Sequence, residues 1–302
     1  MTGQTVASYG TAASTTRVVR QAPHTFHWHR TPGDSPLKAS GTVPARLRDA
    51  FAEAGTESVR FAIPEPDPDG GLVQVLPDSV SIGWHLLAGT ALPGRYTDVV
   101  RRVGGAVRTL HRLTAPPGPH PPVPWLRGLA DWLAHRPDPL ARQVLRGIGG
   151  HRFTRLADWA GTAASAPGGV LLGTLSPGVI VVDRRDLTAH LLVSAEAGYG
   201  APALDLGTFA EALATSVAVA SRGAHRAPEN LDYAALWDAF TAGYGELAPG
   251  AEVERAAVLR RVHRLRSISG HLGDNPVLDE QLAALPGLVD QDGSVIPRSR
   301  RN

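Results

Sequence analysis

Two periodicities divide the chain. Between residues 17 and 76, apolar and polar residues alternate over short runs broken by Pro, Gly and Asp, the mark of half-buried strands. Beyond residue 96, apolar residues recur every three or four positions over long runs, the mark of helices packed on one face. In the first region, residues 17–20 and 25–30 predict strands around a turn containing Pro23, and Thr31-Pro32-Gly33-Asp34 is a strong turn. Residues 35–40, which carry Lys38, predict a third strand that Pro36 confines to an edge or a strand start. Thr42 as cap and Pro44 open a helix that runs to about Ala54 and stops at Gly55, with Leu47, Ala50, Phe51 and Ala54 as its apolar stripe. Residues 59–63 and 72–76 then read as a hairpin across the Pro/Asp/Gly cluster 64–71. Residues 1–16, rich in Ser, Thr, Ala and Gly and without periodicity, predict a flexible tail.

In the second region a helix over 96–113 carries Val99, Val100, Val103, Val107 and Leu110 at helical spacing and ends in Leu110-His111. Residues 115–124 form a Pro-rich loop, followed by predicted helices at 124–135, 139–148 and 153–160. An alanine-rich helix over 205–221, with Phe209, Leu213 and Val217 in line, and helices over 231–244 and 252–268 complete this part. In the last of these Val258, Leu259, Val262, Leu265 and Ile268 face inward, and Arg255, Arg260, Arg261 and Arg264 read as a solvated face, with a grip on an acidic peptide or phosphate as the alternative. Residues 297–302 make a basic tail, and there are no internal repeats.

Composition narrows the classes. The 302 residues suffice for two lobes with substantial cores, and 43% apolar against 19% charged residues describe a globular chain. The absence of cysteine excludes disulfides, thiolate metal sites and cysteine nucleophiles. No apolar run is long enough for a membrane span and no secretory pattern opens the chain, so a cytoplasmic location is expected. A net charge of +2 gives no argument for nucleic acid. Ala, Gly, Pro and Arg usage suggests a GC-rich genome, which makes Lys38, the single lysine, worth following.

The most specific stretch is Leu171-Leu172-Gly173-Thr174-Leu175-Ser176-Pro177-Gly178-Val179-Ile180-Val181-Val182-Asp183, with Leu191 to Leu206 and its Gly198-Tyr199-Gly200-Ala201-Pro202 following. Together they resemble the catalytic core of the aminoglycoside phosphotransferase-like kinases, H-G-D-L-x-P-x-N-V-L-V-D followed by I-D-W-x-x-A-x-x-G-x-P-x-x-D-L-A. The resemblance covers residues 17–268 and implies an α+β, two-lobed protein-kinase-like fold: a small, mostly antiparallel β-sheet lobe over 17–87 and a larger, mainly helical lobe over 88–302. It makes Lys38 the third-strand lysine that holds nucleotide phosphates. Glu53, or Asp49 one turn earlier, becomes its helical carboxylate partner. Residues 81–89 resemble the hinge between the lobes. The turn Gln21-Ala22-Pro23-His24 takes the place of the glycine-rich phosphate loop but has no glycine, which argues against tight triphosphate binding in the usual geometry.

Carried over residue by residue, the catalytic aspartate falls on Thr174, the metal-binding asparagine on Val179 and the metal-binding aspartate on Val193, while Asp205 keeps the aspartate that braces the loop. Two valines offer no lone pairs to a hard cation, and threonine is a poor general base. No catalytic residue of the family is retained, no metal and no cofactor are expected, and the cleft residues left are Lys38, Glu53, Thr174, Ser176, Glu196 and Asp205. Glu196 or Asp183 could in principle replace a metal ligand, against the plainer reading of a loop residue and a strand end. His27 and His29 share a strand face without a third ligand, and Ser176 has no base at triad spacing. The reading is a pseudokinase that binds a partner protein or a peptide substrate, with a hetero-oligomer as an option. The alternatives are an enzyme that uses the cleft for peptide elimination or cyclisation, lanthipeptide-like, and an unusual active phosphotransferase.

Overall fold

The structure is a computed structural model and describes residues 3–11, 14–33, 41–88, 94–115, 120–135, 138–221, 233–246, 250–272, 276–293 and 295–296. In chain order the first elements are β1 (Gln4–Thr11), β2 (Ser14–Ala22), β3 (Thr25–Pro32), α1 (Ala45–Ala54), β4 (Val59–Ala62), β5 (Glu65–Pro66) and β6 (Leu72–Leu76). The larger part follows with α2 (Ile82–Leu87), α3 (Tyr96–Arg112), α4 (Pro124–His135), α5 (Pro139–Ile148), α6 (Gly150–Ser165), β7 (Gly169–Leu171), β8 (Ile180–Val182), β9 (Ala189–Leu192) and β10 (Gly198–Gly200). It ends with α7 (Ala203–Ser221), α8 (Tyr233–Tyr244), α9 (Gly250–Leu272) and α10 (Pro276–Asp290). A small antiparallel sheet lobe thus sits on a larger helical one, as the sequence resemblance implies.

The sheet runs β1-β2-β3-β6-β5. Residues 4–11 are a strand in register with β2, from Gln4 opposite Arg20 to Thr11 opposite Ser14, which corrects the flexible tail expected over 1–16. An edge strand that is mostly solvated has no buried face to impose alternation, so its polarity imitates a tail. This correction moves the frame by one strand. The third strand is Thr25–Pro32, so the lysine position belongs on β3, and the turn 21–24 lies between the second and third strands. Lys38 and its expected strand over 35–40 lie outside the described residues. So do residues 12–13, which follow β1 and precede β2 in the chain, so the missing glycine of 21–24 no longer speaks about a phosphate loop.

Other expectations also shift. Helix α1 buries Leu47, Phe51 and Ala54 as its stripe predicts and ends at Gly55, but Pro44 occupies the cap position and Thr42 makes no cap. β4 is not the hairpin partner of β6. It pairs in parallel with β9, in a three-stranded sheet β4-β9-β8, while β6 pairs with β3 and β5. The hinge stretch is helical: the Ser81 hydroxyl accepts the Trp84 N–H and starts α2. Gly83 lets α2 approach the backbone of Pro177-Gly178 directly, since a Cβ there would clash with Gly178. Helix α10, with Leu278, Leu282, Leu285 and Val289 buried at helical spacing, has no counterpart in the sequence reading because Pro286 interrupts its pattern. The basic tail 297–302 lies outside the described residues.

Three apolar clusters hold the chain together. One joins α1, α3, α7 and α8 to β7–β9, and a second fills the helical lobe around Trp125, Phe153 and Leu259. The third lies between the lobes: Val18, Phe26, Trp28 and Leu76 from the sheet close on Val181 and Leu192 from the hairpin β8–β9. Each is 6% exposed or less, and Val179 packs at its edge.

Candidate functional site

The loop that carries the kinase-like motif follows β7 and is held from behind. Asp205, 0% exposed at the start of α7, accepts the backbone N–H groups of Leu172 and Gly173, each at 2.8 Å, and lies 3.2 Å from His111 Nε2. The other nitrogen of His111 meets the Tyr244 hydroxyl at 3.0 Å, so α3, α7 and α8 converge on one loop through buried polar bonds. Burial, reinforced by the Asp205 carboxylate, pushes the Tyr244 phenol up to about 12. Gly173 adopts φ 73° against the Glu196 carbonyl, where a side chain would collide. The brace read from the sequence at Asp205 is therefore in place.

The chemistry expected of a kinase loop is absent from what the brace presents. Thr174 and Ser176, both half-buried, line a cavity of ≈ 600 Å³ between the lobes, as does Glu196. Val179 and Val193 are not among its lining residues. Val193 is 0% exposed: its N–H donates to Ala62 O at 3.0 Å, and its carbonyl accepts from Gln74 Nε2 at 3.1 Å. Glu196 is 3% exposed and its Oε2 accepts the Trp125 N–H at 2.8 Å, which ties this loop to the first turn of α4. Asp183 is bound by Arg185 at 2.6 Å and by the Arg185 N–H at 3.0 Å. The hydrogen bonds from Arg185 hold its carboxyl below the usual range. Glu53 and Asp49 are exposed on the outer face of α1. His27 and His29 lie with ring centroids 6.0 Å apart, and His29 pairs with Asp67 at 2.5 Å. Among the described residues no group of three or more His, Cys, Asp or Glu could hold a metal ion.

Two further findings were not foreseen. On β3 the side chain that reaches the cavity is Trp28, whose Nε1 donates to Asp78 O at 3.0 Å. On α9, Arg260 and Arg264 are cavity walls, which corrects their reading as a solvated face. Arg264 pairs with Glu211 at 2.8 Å and Arg261 lies 3.7 Å from the same carboxylate, which also accepts from Thr215. Arg260 stacks on Trp125, 5.1 Å from the ring centroid. His263, one turn from Arg260, is pushed down to about 3 by burial and by Arg260 and Arg266, so it is neutral at ordinary pH. A helical stripe at Arg260, His263, Arg264 and Ser267 was visible in the sequence as an i, i+3, i+4, i+7 pattern, but its polarity pointed to solvent.

No protein-family model matches the chain, and no curated protein matches it. Solved structures do. An amicoumacin kinase in complex with AMP-PNP, Ca2+ and Ami superposes with a TM-score of 0.61 at 12% identity, covering 98% of this chain and 90% of that one. A thermostable mutant of aminoglycoside phosphotransferase APH(4)-Ia gives 0.55 at 10% identity, covering 95% and 92%. The GDP complex of aminoglycoside 2'-phosphotransferase-IIIa gives 0.54 at 13% identity, covering 97% and 92%. This chain has the kinase-like fold of the aminoglycoside phosphotransferases. The fold implies magnesium and a nucleotide, and the residues present do not fit them. At the two positions where the motif spacing puts the family's metal ligands stand Val179 and Val193, without oxygen donors for a hard cation.

Proposed function

We propose that the chain is a pseudokinase: a cytoplasmic binding or scaffolding subunit of aminoglycoside phosphotransferase-like fold that does not transfer phosphate. It holds a partner enzyme or a peptide substrate at the inter-lobe cavity, in the biosynthesis of a peptide natural product. The observation that carries this reading is the placement of Val193. The position of the family's metal-binding aspartate is fully buried, its backbone bonded to the sheet lobe, and its neighbour Leu192 belongs to the apolar cluster between the lobes. Thr174 and Val179 extend the same replacement, since neither can orient a hydroxyl as a carboxylate does or hold a cation. The brace from Asp205 and the open cavity beside Thr174 support retention of a binding surface. Phosphate release from ATP tests this reading. The expected rate is that of the buffer, unchanged by Glu196→Gln. Release above background that is lost in Glu196→Gln marks an active kinase with substitute ligands and contradicts it.

A further inference from the structure

The inter-lobe cavity has two unequal ends. Its mouth is apolar and uncovered: Tyr9, Trp84 and Leu87 are 50%, 49% and 48% exposed, unusual for side chains of their size. Its deep end is α9. There Arg260 and Arg264 line the wall and Arg261 lies beside Glu211, with Glu196, Glu211 and Asp205 as the carboxylates that act on Arg260. Arg264 and Arg261 share Glu211, and among the described residues the buried Arg260 Nη1 has no hydrogen-bond partner. Next to it His263, 8% exposed, also lines the cavity, and its buried Nδ1 has no partner among the described residues. Buried donors and acceptors are as a rule satisfied, and a cationic one left over is the costliest kind.

We propose that this cavity binds an organic carboxylate with an apolar body, the carboxylate drawn to Arg260 and the body lying on Tyr9, Trp84 and Leu87. The Arg260 guanidinium, whose Nη1 has no hydrogen-bond partner among the described residues, supplies the charge, and the neutral imidazole of His263 supplies a hydrogen-bonding group that does not repel or attract an ion. Ser267, one turn on along α9, adds a hydroxyl on the same wall. A cationic ligand would meet the opposite: both acidic side chains of the wall are already engaged, Glu211 by Arg264 and Thr215, and Glu196 by the Trp125 N–H. Two sources carry this chemistry, a peptide carboxy-terminus and a free small acid, which share the carboxylate and differ in backbone.

This inference rests on the pseudokinase reading for the identity of the cavity as a binding site, but its test contains neither nucleotide nor magnesium. Three probes are titrated against the whole chain by calorimetry: the tetrapeptide acetyl-Ala-Ala-Phe-Phe with a free carboxy-terminus, the same peptide as its amide, and 3-phenylpropionate. The free acid is expected to bind at least about 10-fold more tightly than the amide, since a charge-assisted bond to a desolvated guanidinium is lost. Binding of 3-phenylpropionate at comparable strength assigns the site to free acids, and binding of the peptide acid alone assigns it to carboxy-termini. Arg260→Gln is expected to erase the acid–amide difference, and Trp84→Ala, at the exposed mouth, to weaken acid and amide alike. Should Arg260→Gln fail to fold, the acid–amide ratio and Trp84→Ala still decide. Equal affinity for acid and amide, or no binding of any probe, overturns the proposal and leaves the pseudokinase reading standing.

Discussion

Gln74 Nε2 lies 3.1 Å from the carbonyl oxygen of Val193 and 2.6 Å from that of Ala62. One side chain of the sheet lobe thus ties β4 to the backbone at the position where the family holds its metal ligand. The bond is buried, so an unmatched carbonyl there has no water to turn to. Gln74→Leu is expected to lower stability by about 1–3 kcal/mol, the cost of a buried acceptor left without a donor. Urea unfolding measures it; no change would mean that the lobes are joined by apolar packing alone.

Val193→Asp restores the family's residue type at a site that is 0% exposed and belongs to the same apolar cluster as Val182, Leu191 and Leu206. A lone carboxylate there is expected to destabilise by at least about 3 kcal/mol. Magnesium should not raise the melting temperature of the variant. A magnesium-dependent rise would show that the ligand site persists in latent form. Val179, only half-buried at the edge of the inter-lobe cluster, should tolerate asparagine with a smaller loss.

Asp205 satisfies two backbone donors at once. Asp205→Ala orphans the N–H groups of Leu172 and Gly173, each worth about 1–3 kcal/mol when buried, so a loss of roughly 2–6 kcal/mol is expected. Asp205→Asn keeps one acceptor oxygen and should lose about half as much. Denaturant titration of the two variants side by side checks the order.

Stability at acid pH should carry the mark of His263. Its folded value of about 3 lies below the unfolded 6.5, so the neutral form is the one that folding favours. The contribution is fully present above 6.5 and is lost as pH falls from 6.5 toward 3, with a slope of at most about 1.4 kcal/mol per pH unit. His263→Leu removes that slope. A variant whose stability falls between these limits as steeply as the parent would show that the imidazole is not buried.

The two-lobed fold was legible because the glycines and prolines around residue 173 keep a recognisable spacing even where the reactive side chains have changed. Asp205 was legible for the same reason. Its function in holding Leu172 and Gly173 needs only an acceptor at a fixed distance from a helix start. The first strand was not legible, since a solvated edge strand shows no buried face, and missing it displaced the lysine and phosphate-loop assignments by one strand. The α9 wall was missed because arginines at helical spacing look alike whether they face water or a cavity. What separates the two is the position of α7 against α9, and only the folded chain sets that. Pro286 hid α10, whose four buried leucine and valine positions hold regardless of the proline.

Under the proposed pseudokinase reading, apolar packing between the lobes stands in place of a magnesium–nucleotide site. Calorimetric titration of the whole chain with ATP, once with magnesium and once with a chelator, tests it most directly. No magnesium-dependent binding heat is predicted. Magnesium-dependent binding in the micromolar range contradicts that reading.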